Sequence, residues 1–319
     1  MSEALIELDS TARPRGLAVS AHRLVHIYRV EGNDVVALTS VDLDIAPGEM
    51  VALIGPSGSG KSTMLTLLAG LHQPSAGRLT VGPHDLSNID DAERNRLRAI
   101  EVGTVLQGAR RNLLAYATVE QNVAFAQRPA RKYKETLPSP REVLDLVGMA
   151  DHARSDLGEL TPGQLQTVAV AVAISALPGL LLADEPTSQL DHRHRDVVLH
   201  AIQRVNTSIG TTVLLVTHDP EVAARMPRRI TIRDGRIGAE GHGGEDLAVI
   251  GRDGSLQLPP DVLEHLPVGS LMRVRLQPDR SVLLERYEGS PQQTAKEPQG
   301  APAKEPPPSQ SSSELWKWQ

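Results

Sequence analysis

The stretch Gly55-Pro56-Ser57-Gly58-Ser59-Gly60-Lys61-Ser62-Thr63 decides the fold of this chain. It satisfies the pattern of a phosphate-binding loop and lies between a strand-like apolar run, residues 49–54, and a helical pattern, residues 64–70. Glycines at this spacing let backbone N–H groups curl around phosphate oxygens, and the helix N-terminus adds its positive end. The whole stretch is therefore a candidate nucleotide-binding segment, in which Lys61 reaches the β- and γ-phosphates and Ser62 ligates Mg²⁺.

The pattern around this loop predicts an α/β domain. From residue 20 to residue 243, short runs rich in Val, Ile and Leu alternate with helical patterns, as expected for a parallel sheet covered by helices. The later apolar runs are residues 102–106, 180–183, 212–216 and 229–232. Polar or small residues follow several of these runs, at the strand ends where α/β proteins bind ligands.

A pair of carboxylates at the end of one apolar run predicts a second part of the site. Asp184 and Glu185 directly follow residues 180–183. Such a pair on its own is also compatible with a helix cap. Combined with a phosphate loop, it predicts that Asp184 holds Mg²⁺, usually through water, and that Glu185 polarises a water for attack on the γ-phosphate.

Composition excludes several classes of function. The 319 residues contain no cysteine, which excludes disulfides, thiolate metal sites and a cysteine nucleophile. The net charge of −6 and the aromatic content of 2% both argue against a surface that binds nucleic acid. The low aromatic content also predicts a core of Leu, Val, Ile and Ala. The first residues lack the pattern of a signal peptide, and the most apolar run, residues 168–183, is too short to span a bilayer and is broken by Pro178-Gly179. We therefore expect a cytoplasmic protein.

Four segments differ in composition. Residues 1–19 are polar and predicted to be flexible, and residues 20–243 form the α/β domain. Residues 244–288 carry turn signals between short extended runs and predict a small β-hairpin module with a regulatory or dimerisation role. Residues 289–319 form a Pro/Ser-rich tail that is predicted to be disordered, and its Trp316 and Trp318 have either a docking role or none.

At these motifs the sequence resembles the ATP-binding cassette (ABC) ATPases, over about residues 20–240. Gln107 matches the glutamine that in this family contacts Mg²⁺ and senses the transmembrane partner, and residues 188–191 match the D-loop. His218 matches the histidine that contacts the γ-phosphate, and Tyr28 matches the aromatic residue that stacks on adenine. The resemblance implies a RecA-like core with an antiparallel β subdomain and a helical subdomain. It also implies three catalytic residues, Glu185, His218 and Gln107.

The signature motif departs from the family pattern. Residues 37–71 resemble the branch of lipoprotein-releasing, macrolide-export and cell-division systems, but residues 160–164 read Leu-Thr-Pro-Gly-Gln instead of Leu-Ser-Gly-Gly-Gln. In the family this motif presses on ATP held by the opposite subunit of a head-to-tail dimer. Pro162 removes one backbone N–H and fixes φ, whereas Glu185 and His218 are retained, so we predict an active but slow ATPase. The nucleotide contacts that the resemblance implies here are Thr161, Gly163, Gln164 and Asp191.

The resemblance implies an ATP-hydrolysing subunit that uses MgATP. Its partners would be a second copy or a homologous ATPase subunit and a separately encoded permease, contacted near Gln107 and residues 110–123, with the chain peripheral on the inner face of the cell membrane. One alternative is a nucleotide-gated regulatory protein that acts on a membrane partner complex without transport. Another is a soluble ABC protein of DNA repair or translation, but the second cassette or long coiled-coil insertion usual in those proteins is absent from this sequence.

The C-terminal module resembles a different family. Residues 246–286 are similar to the swapped-hairpin AbrB-like domains of bacterial regulators, which often bind DNA as dimers. Residues 244–288 contain eight acidic and five basic residues, a net charge of −3. Phosphate binding needs the opposite sign, so no nucleic-acid partner is expected.

Overall fold

The computed structural model describes residues 16–286 except residues 31, 243–244, 251–253, 255, 257, 259–261, 263–264 and 267–269. The chain divides into two compact units between Val262 and Leu263. In the described part, no helix is long and apolar enough to cross a membrane.

The first unit contains eleven strands and seven α-helices among its described residues. The strands are β1 (Val19–Val30), β2 (Asn33–Ile45), β3 (Met50–Ile54), β4 (Ala76–Val81), β5 (His84–Asp85), β6 (Val102–Val105), β7 (Leu180–Asp184), β8 (Thr212–Thr217), β9 (Arg228–Arg233), β10 (Arg236–His242) and β11 (Glu245–Ala248). The helices are α1 (Lys61–Leu68), α2 (Asp91–Ile100), α3 (Val119–Ala126), α4 (Pro140–Leu146), α5 (Pro162–Ala173), α6 (His192–Ile209) and α7 (Pro220–Ala224).

The central sheet has the strand order β11-β10-β9-β3-β8-β7-β6. The five strands from β9 to β6 are parallel, and β10 and β11 add an antiparallel edge. All six residues of β8 are buried, as expected for a strand covered on both faces. Each of the five predicted apolar runs overlaps one of these parallel strands to within one residue at either end, so the sequence prediction of a parallel sheet is confirmed.

Alternate residues of the central strands enter two different cores. Leu181, Val213 and Leu215 pack with α3–α6 in one core, whereas Leu182 and Leu214 pack with α1 and the β subdomain in the other. The period of two follows from the pleat of a strand. The described buried hydrophobic residues are all aliphatic, mainly Leu, Val, Ile and Ala with a few Met, which confirms the predicted composition of the core.

The predicted antiparallel β subdomain is a four-stranded sheet of order β2-β1-β4-β5. The predicted helical subdomain contains α3, α4 and α5, which pack on one another. Each of these three helices starts at a capping box, formed by Thr118, Ser139 or Thr161 with the residue three positions later. The starts of these three helices are therefore set by local sequence as well as by packing in the core.

The ends of the first unit differ from the predicted segments. Within the segment that we predicted to be flexible, two residues are held by the first unit: the Leu17 N–H donates to the Gly179 carbonyl at 3.0 Å, and Val19 is buried in β1. At the other end, β11 pairs with β10, so the first unit continues past the predicted boundary at residue 243. Hydrogen bonding of an extra edge strand explains this difference. Residues 1–15 and 289–319 lie outside the described residues.

In the second unit the described strands are β12 (Met272–Leu276) and β13 (Val282–Arg286). They pair antiparallel with Val274 opposite Leu284, and the turn is closed by the Gln277 N–H donating to the Ser281 carbonyl at 2.8 Å. One predicted hairpin is thus present. The resemblance to AbrB-like domains stays a prediction.

Candidate nucleotide-binding and catalytic site

The phosphate loop connects β3 to α1 and needs glycine at two positions. Gly55 has φ 154°, and a Cβ there would lie 2.1 Å from the Ile232 carbonyl oxygen. Gly60 has φ 104°, and a Cβ there would lie 2.6 Å from the Ala37 carbonyl oxygen. The loop is therefore pressed against β9 on one side and β2 on the other, with no room for a larger residue.

The loop ends in a helix N-terminus whose amides suit an anion. Gly60 is the N-cap of α1 and has no side chain to accept from the first N–H groups, which also lack partners within the helix. The helix begins at Lys61, three residues before the predicted helical pattern, so Lys61, Ser62 and Thr63 form its first turn. Ser57 and Gly58 are exposed on the loop, whereas the Ser59 hydroxyl is buried without a hydrogen-bond partner among the described residues. These features fit a phosphate group.

The Lys61 ammonium is fixed under the loop. It donates to the carbonyl oxygens of Gly55 and Pro56, both at 2.7 Å, and the residue is 9% exposed. Burial lowers the pKa of Lys61, while the nearby carboxylates of Glu185 and Asp184 act in the opposite direction. The ammonium thus lies between the loop and the two carboxylates, where it is available to bind a charged phosphate.

Asp184 is the last residue of β7, the strand next to β8, and Glu185 follows it, at the same end of the parallel strands as the loop. Asp184 ends β7 and pairs with Val216, while Ile54 of β3 pairs with Thr217, so all three strands end together. Burial raises the pKa of Asp184, and the charge of Glu185 raises it further, against the opposing charges of Lys61 and Arg111. A site that disfavours a second negative charge favours a bound cation.

Glu185 is held in a turn that aims it at His218. Its φ is 46°, its N–H donates to the Val216 carbonyl at 2.9 Å, and its side chain is only 11% exposed. Its Oε1 lies 2.6 Å from Nδ1 of His218, whose own side chain is 71% exposed. Left-handed backbone is unfavourable for glutamate and is found where the surroundings over-determine it, often at functional sites. The structure thus brings the predicted Glu185 and His218 into direct contact.

Gln107 follows β6, the strand next to β7, and its side chain is exposed. Asn112 holds this segment: its side chain accepts from the Leu106 N–H at 2.8 Å and donates to the carbonyls of Leu106 and Gly108 at 2.9 and 3.1 Å. The same segment supplies Arg111, whose charge acts on Asp184. Asn112 and Arg111 lie in the range 110–123 predicted to contact a permease, but no local sequence pattern marks the bracing amide of Asn112 or the charge of Arg111 near Asp184.

The signature segment begins α5. Thr161 is the N-cap, its Oγ1 accepting from the Gln164 N–H at 3.3 Å, and Gln164 Oε1 accepts from the Thr161 N–H at 2.9 Å. Pro162 stands at the first helical position, where a missing N–H costs the helix nothing. Gly163 therefore supplies the first N–H of the helix. A Cβ on Gly163 would lie 2.7 Å from the His194 ring.

The D-loop lies against the signature segment. Asp191 is the N-cap of α6, and its Oδ1 is 2.9 Å from both the backbone nitrogen and Nδ1 of His194. These contacts, chiefly the backbone one, lower the pKa of Asp191. A cleft of about 590 Å³ separates the two segments from residues 107–111. Among the described residues, no hydrogen bond joins the signature segment to the phosphate loop.

Tyr28 lies near the end of β1, paired with Val35 of β2. Two residues further along β2, Ala37 touches Gly60 of the phosphate loop, which brings this end of the hairpin close to the loop. The Tyr28 ring is half-buried and meets two histidine rings edge-on, His26 at 4.6 Å and His72 at 5.9 Å between centroids. Tyr28 therefore lies on the strand that pairs with the part of β2 nearest the loop, and its stacking on adenine stays a prediction.

Fold and site together define a phosphate-loop nucleotide-binding protein with a carboxylate–histidine pair at the loop. The family model of the ABC transporters matches residues 38–188. The lipoprotein-releasing system ATP-binding protein LolD of Granulibacter bethesdensis is 36% identical over 69% of this chain and 96% of its own length. The methionine import ATP-binding protein MetN of Xanthomonas axonopodis pv. citri is 37% identical over 68% of this chain and 64% of its own length.

Solved structures agree with these matches. The dimeric structure of MJ0796, a bacterial ABC transporter cassette, superposes with a TM-score of 0.62 at 31% identity and covers 70% of this chain and 98% of that one. The chain belongs to the ABC transporter family, as an ATP-binding cassette protein. The predicted likeness to lipoprotein-releasing ATPases is confirmed. The chain spans about 64% of the length of the methionine import relatives.

Proposed function

We propose that this chain is the ATP-hydrolysing subunit of an ABC transporter and powers a separately encoded permease through ATP-driven closure of a dimer. One observation carries the proposal: β3, β8 and β7 bring the phosphate loop, His218 and Glu185 to one edge of the sheet, with 2.6 Å between the last two side chains. Sets of this kind bind and hydrolyse nucleoside triphosphates. The direct test is phosphate release from MgATP by the purified chain.

In this proposal the loop amides and Lys61 hold the phosphates. The N–H groups of the first turn of α1 donate to phosphate oxygens, and the ammonium exchanges the carbonyls of Gly55 and Pro56 for the β- and γ-phosphates. The Ser62 hydroxyl and the Asp184 carboxylate fit Mg²⁺, which proteins usually bind through a few oxygen ligands together with phosphate oxygens of the substrate. Bound Mg²⁺ would neutralise charge on the β- and γ-phosphates. Gln107 is the third proposed ligand.

Glu185 and His218 divide the work at the γ-phosphate. The buried carboxylate of Glu185 accepts a proton from the attacking water, and His218, exposed at the end of β8, donates to the γ-phosphate. Their contact at 2.6 Å orients both groups before nucleotide arrives.

The signature segment and the D-loop serve a second copy of the cassette. They lie together on one surface, and no described hydrogen bond joins the signature segment to the loop of the same chain. In a head-to-tail dimer, Thr161, Gly163, Gln164 and Asp191 of one copy would close on the nucleotide of the other. The dimeric cassette structures that resemble this chain support the arrangement.

A second, smaller cavity lies beside the cleft, and Arg110 and Leu165 line both. Arg110, Leu113 and Leu165 line a smaller apolar cavity of about 260 Å³, and Tyr116 is 87% exposed nearby along the chain. We propose that residues 107–123 contact the permease on the inner face of the membrane. The permease would supply the transport pathway and its selectivity. Co-purification of a membrane protein that is lost on Tyr116→Asp substitution would test this surface.

The regulatory alternative and the transport function differ in whether they need ATP hydrolysis. If nucleotide binding alone switches a membrane partner, a Glu185→Gln chain that binds ATP without turnover keeps the biological activity. If the chain powers transport, this variant loses transport although it still joins the permease. Transport measured in reconstituted vesicles with both chains decides between the two.

Tyr28→Ala is expected to weaken ATP binding by about 1–3 kcal/mol, the value of an aromatic–base stacking contact. Tyr28→Phe keeps the ring and should bind as the parent does. Calorimetric titration with ATP measures both, and the loss should be absent with inorganic triphosphate, which has no base. Equal ATP affinity of the Ala and Phe variants would show that the ring does not stack on adenine.

Pro162→Gly is expected to tighten the ATP-bound dimer about ten- to a hundredfold, since one hydrogen bond to a charged group is worth about 1.5–3 kcal/mol. The substitution restores one N–H at the start of α5, and turnover should rise with it. Sedimentation of Glu185→Gln chains with MgATP measures the dimer.

Pro140→Gly is the matched control for this prediction. Pro140 stands at the same helical position of α4, within a capping box made by Ser139 and Glu142. Loss of proline at either site removes the same helix preference, so only a change specific to Pro162 supports a phosphate contact. An unchanged dimer in both variants contradicts the slow-ATPase prediction.

A further inference from the structure

The side-chain amide of Gln164 makes two contacts with opposite requirements. Its Oε1 accepts from the Thr161 N–H at 2.9 Å, and its Nε2 lies 2.9 Å from Nε2 of His152. Rotating the amide by 180° would place its NH₂ group against the Thr161 N–H, two donors facing each other. The capping box therefore fixes which end of the amide faces His152.

This orientation determines the state of His152. The amide nitrogen carries only donors, so Nε2 of His152 must accept, which makes the ring neutral with its proton on Nδ1. The imidazole belongs to a short 3₁₀ turn, Ala150–His152, where the His152 N–H donates to the Met149 carbonyl at 3.1 Å and its carbonyl accepts from the Ser155 N–H at 3.0 Å. The acceptor is thus presented by backbone that is itself hydrogen-bonded.

The first turn of α5 depends on this contact more than an ordinary helix start would. Pro162 contributes no N–H, the Gln164 N–H is engaged by Thr161, and Gly163 supplies the first N–H that points out of the helix. The box made by Thr161 and Gln164 sets the direction of that N–H. His152 binds the only other polar atom of the Gln164 amide.

We propose that His152 is a positioning residue for the signature segment: through Gln164 it holds the turn that presents the Gly163 N–H to the nucleotide of a second copy. The inference rests on the proposed function, in which that segment closes on nucleotide across a dimer. His152 itself touches the Gln164 amide and acts on the nucleotide only through it.

The tautomer of His152 is tested without nucleotide. Nitrogen-15 NMR of the full chain, with the His152 ring assigned by its loss in His152→Gln, should show a bare Nε2 and a protonated Nδ1. A ring that carries its proton on Nε2 would overturn the proposal, whether or not the chain hydrolyses ATP.

The effect on the dimer is tested in Glu185→Gln chains, where hydrolysis does not interfere. His152→Phe keeps a ring but loses the acceptor, and we expect the dissociation constant of the MgATP-bound dimer to rise about three- to tenfold, the usual value of one hydrogen bond. His152→Gln places an acceptor oxygen near the position of Nε2 and should restore the dimer. ATP affinity of the monomer should be the same in all chains.

The outcomes separate the two hypotheses. If His152→Phe and His152→Gln dimerise equally well, or fail equally, His152 has no positioning role although the proposed function stands. If the Glu185→Gln parent does not dimerise with MgATP, the proposed function fails, and with it the role of His152. Thermal unfolding without nucleotide checks that each variant is folded.

Discussion

Glu185→Gln is expected to lower the ATPase rate by about 10²- to 10⁴-fold, the usual contribution of a positioned general base. The amide keeps the size of the carboxylate and still contacts Nδ1 of His218, so the turn after β7 is expected to stay in place. What is lost is an acceptor for the proton of the attacking water. ATP binding should persist, because the proposed phosphate contacts are made by the loop and Lys61 rather than by Glu185.

Two measurements separate loss of chemistry from loss of binding. Phosphate release reports turnover, and calorimetric titration with MgATP reports binding. Glu93→Gln is the matched control, since Glu93 Oε1 makes the same kind of contact at 2.7 Å with Nδ1 of His84, away from the phosphate loop. A rate for Glu185→Gln close to that of Glu93→Gln would contradict the proposed catalytic role of Glu185.

The parts of this site that sequence predicts are those that follow from one local rule. The phosphate loop is marked by glycines whose backbone has no room for a Cβ, as at Gly55 and Gly60. Asp184 is marked by its position at the end of a buried apolar run, because parallel strands carry their ligands at that end. The scarcity of aromatic residues also predicts the aliphatic composition of the core, because few aromatic side chains are available to fill it.

The parts that sequence misses depend on contacts between distant segments. Asn112 looks like any loop residue until its three hydrogen bonds to Leu106 and Gly108 are seen. The proposed role of His152 rests on its contact with the amide of Gln164, twelve residues away in sequence. Strand β11, which follows the predicted boundary at residue 243, is not predicted for the same reason, because this four-residue strand joins the sheet through pairing with β10 that no local pattern reveals.

Lys61→Met is expected to weaken MgATP binding by about a hundredfold or more, because hydrogen bonds to charged groups are worth about 1.5–3 kcal/mol each and two phosphates lose a donor. The stabilisation of the fold by nucleotide gives a sensitive measure of this loss. A ligand at about 100 times its dissociation constant stabilises a protein by about 2.7 kcal/mol, whereas a ligand at its dissociation constant contributes about 0.4 kcal/mol. The rise in Tm caused by MgATP should therefore nearly vanish in the variant.

The Tm without nucleotide is a poor measure of this effect, because two contributions oppose each other. Burial lowers the pKa of Lys61, so at pH values below that pKa the charged form reduces the stability of the fold, and methionine removes this cost. The same substitution leaves the carbonyls of Gly55 and Pro56 without the ammonium donor that they share at 2.7 Å. The difference in Tm with and without MgATP cancels both contributions.

Lys134→Met supplies the matched control for the lysine. The Lys134 ammonium also donates to two consecutive backbone carbonyls, Ala176 at 2.7 Å and Leu177 at 3.5 Å, but it lies outside the phosphate loop. Loss of this contact should lower the Tm of the nucleotide-free chain and leave its response to MgATP unchanged. An equal response to MgATP in Lys61→Met and Lys134→Met would mean that Lys61 serves only to brace the loop, and the phosphates would then have to be bound without its ammonium.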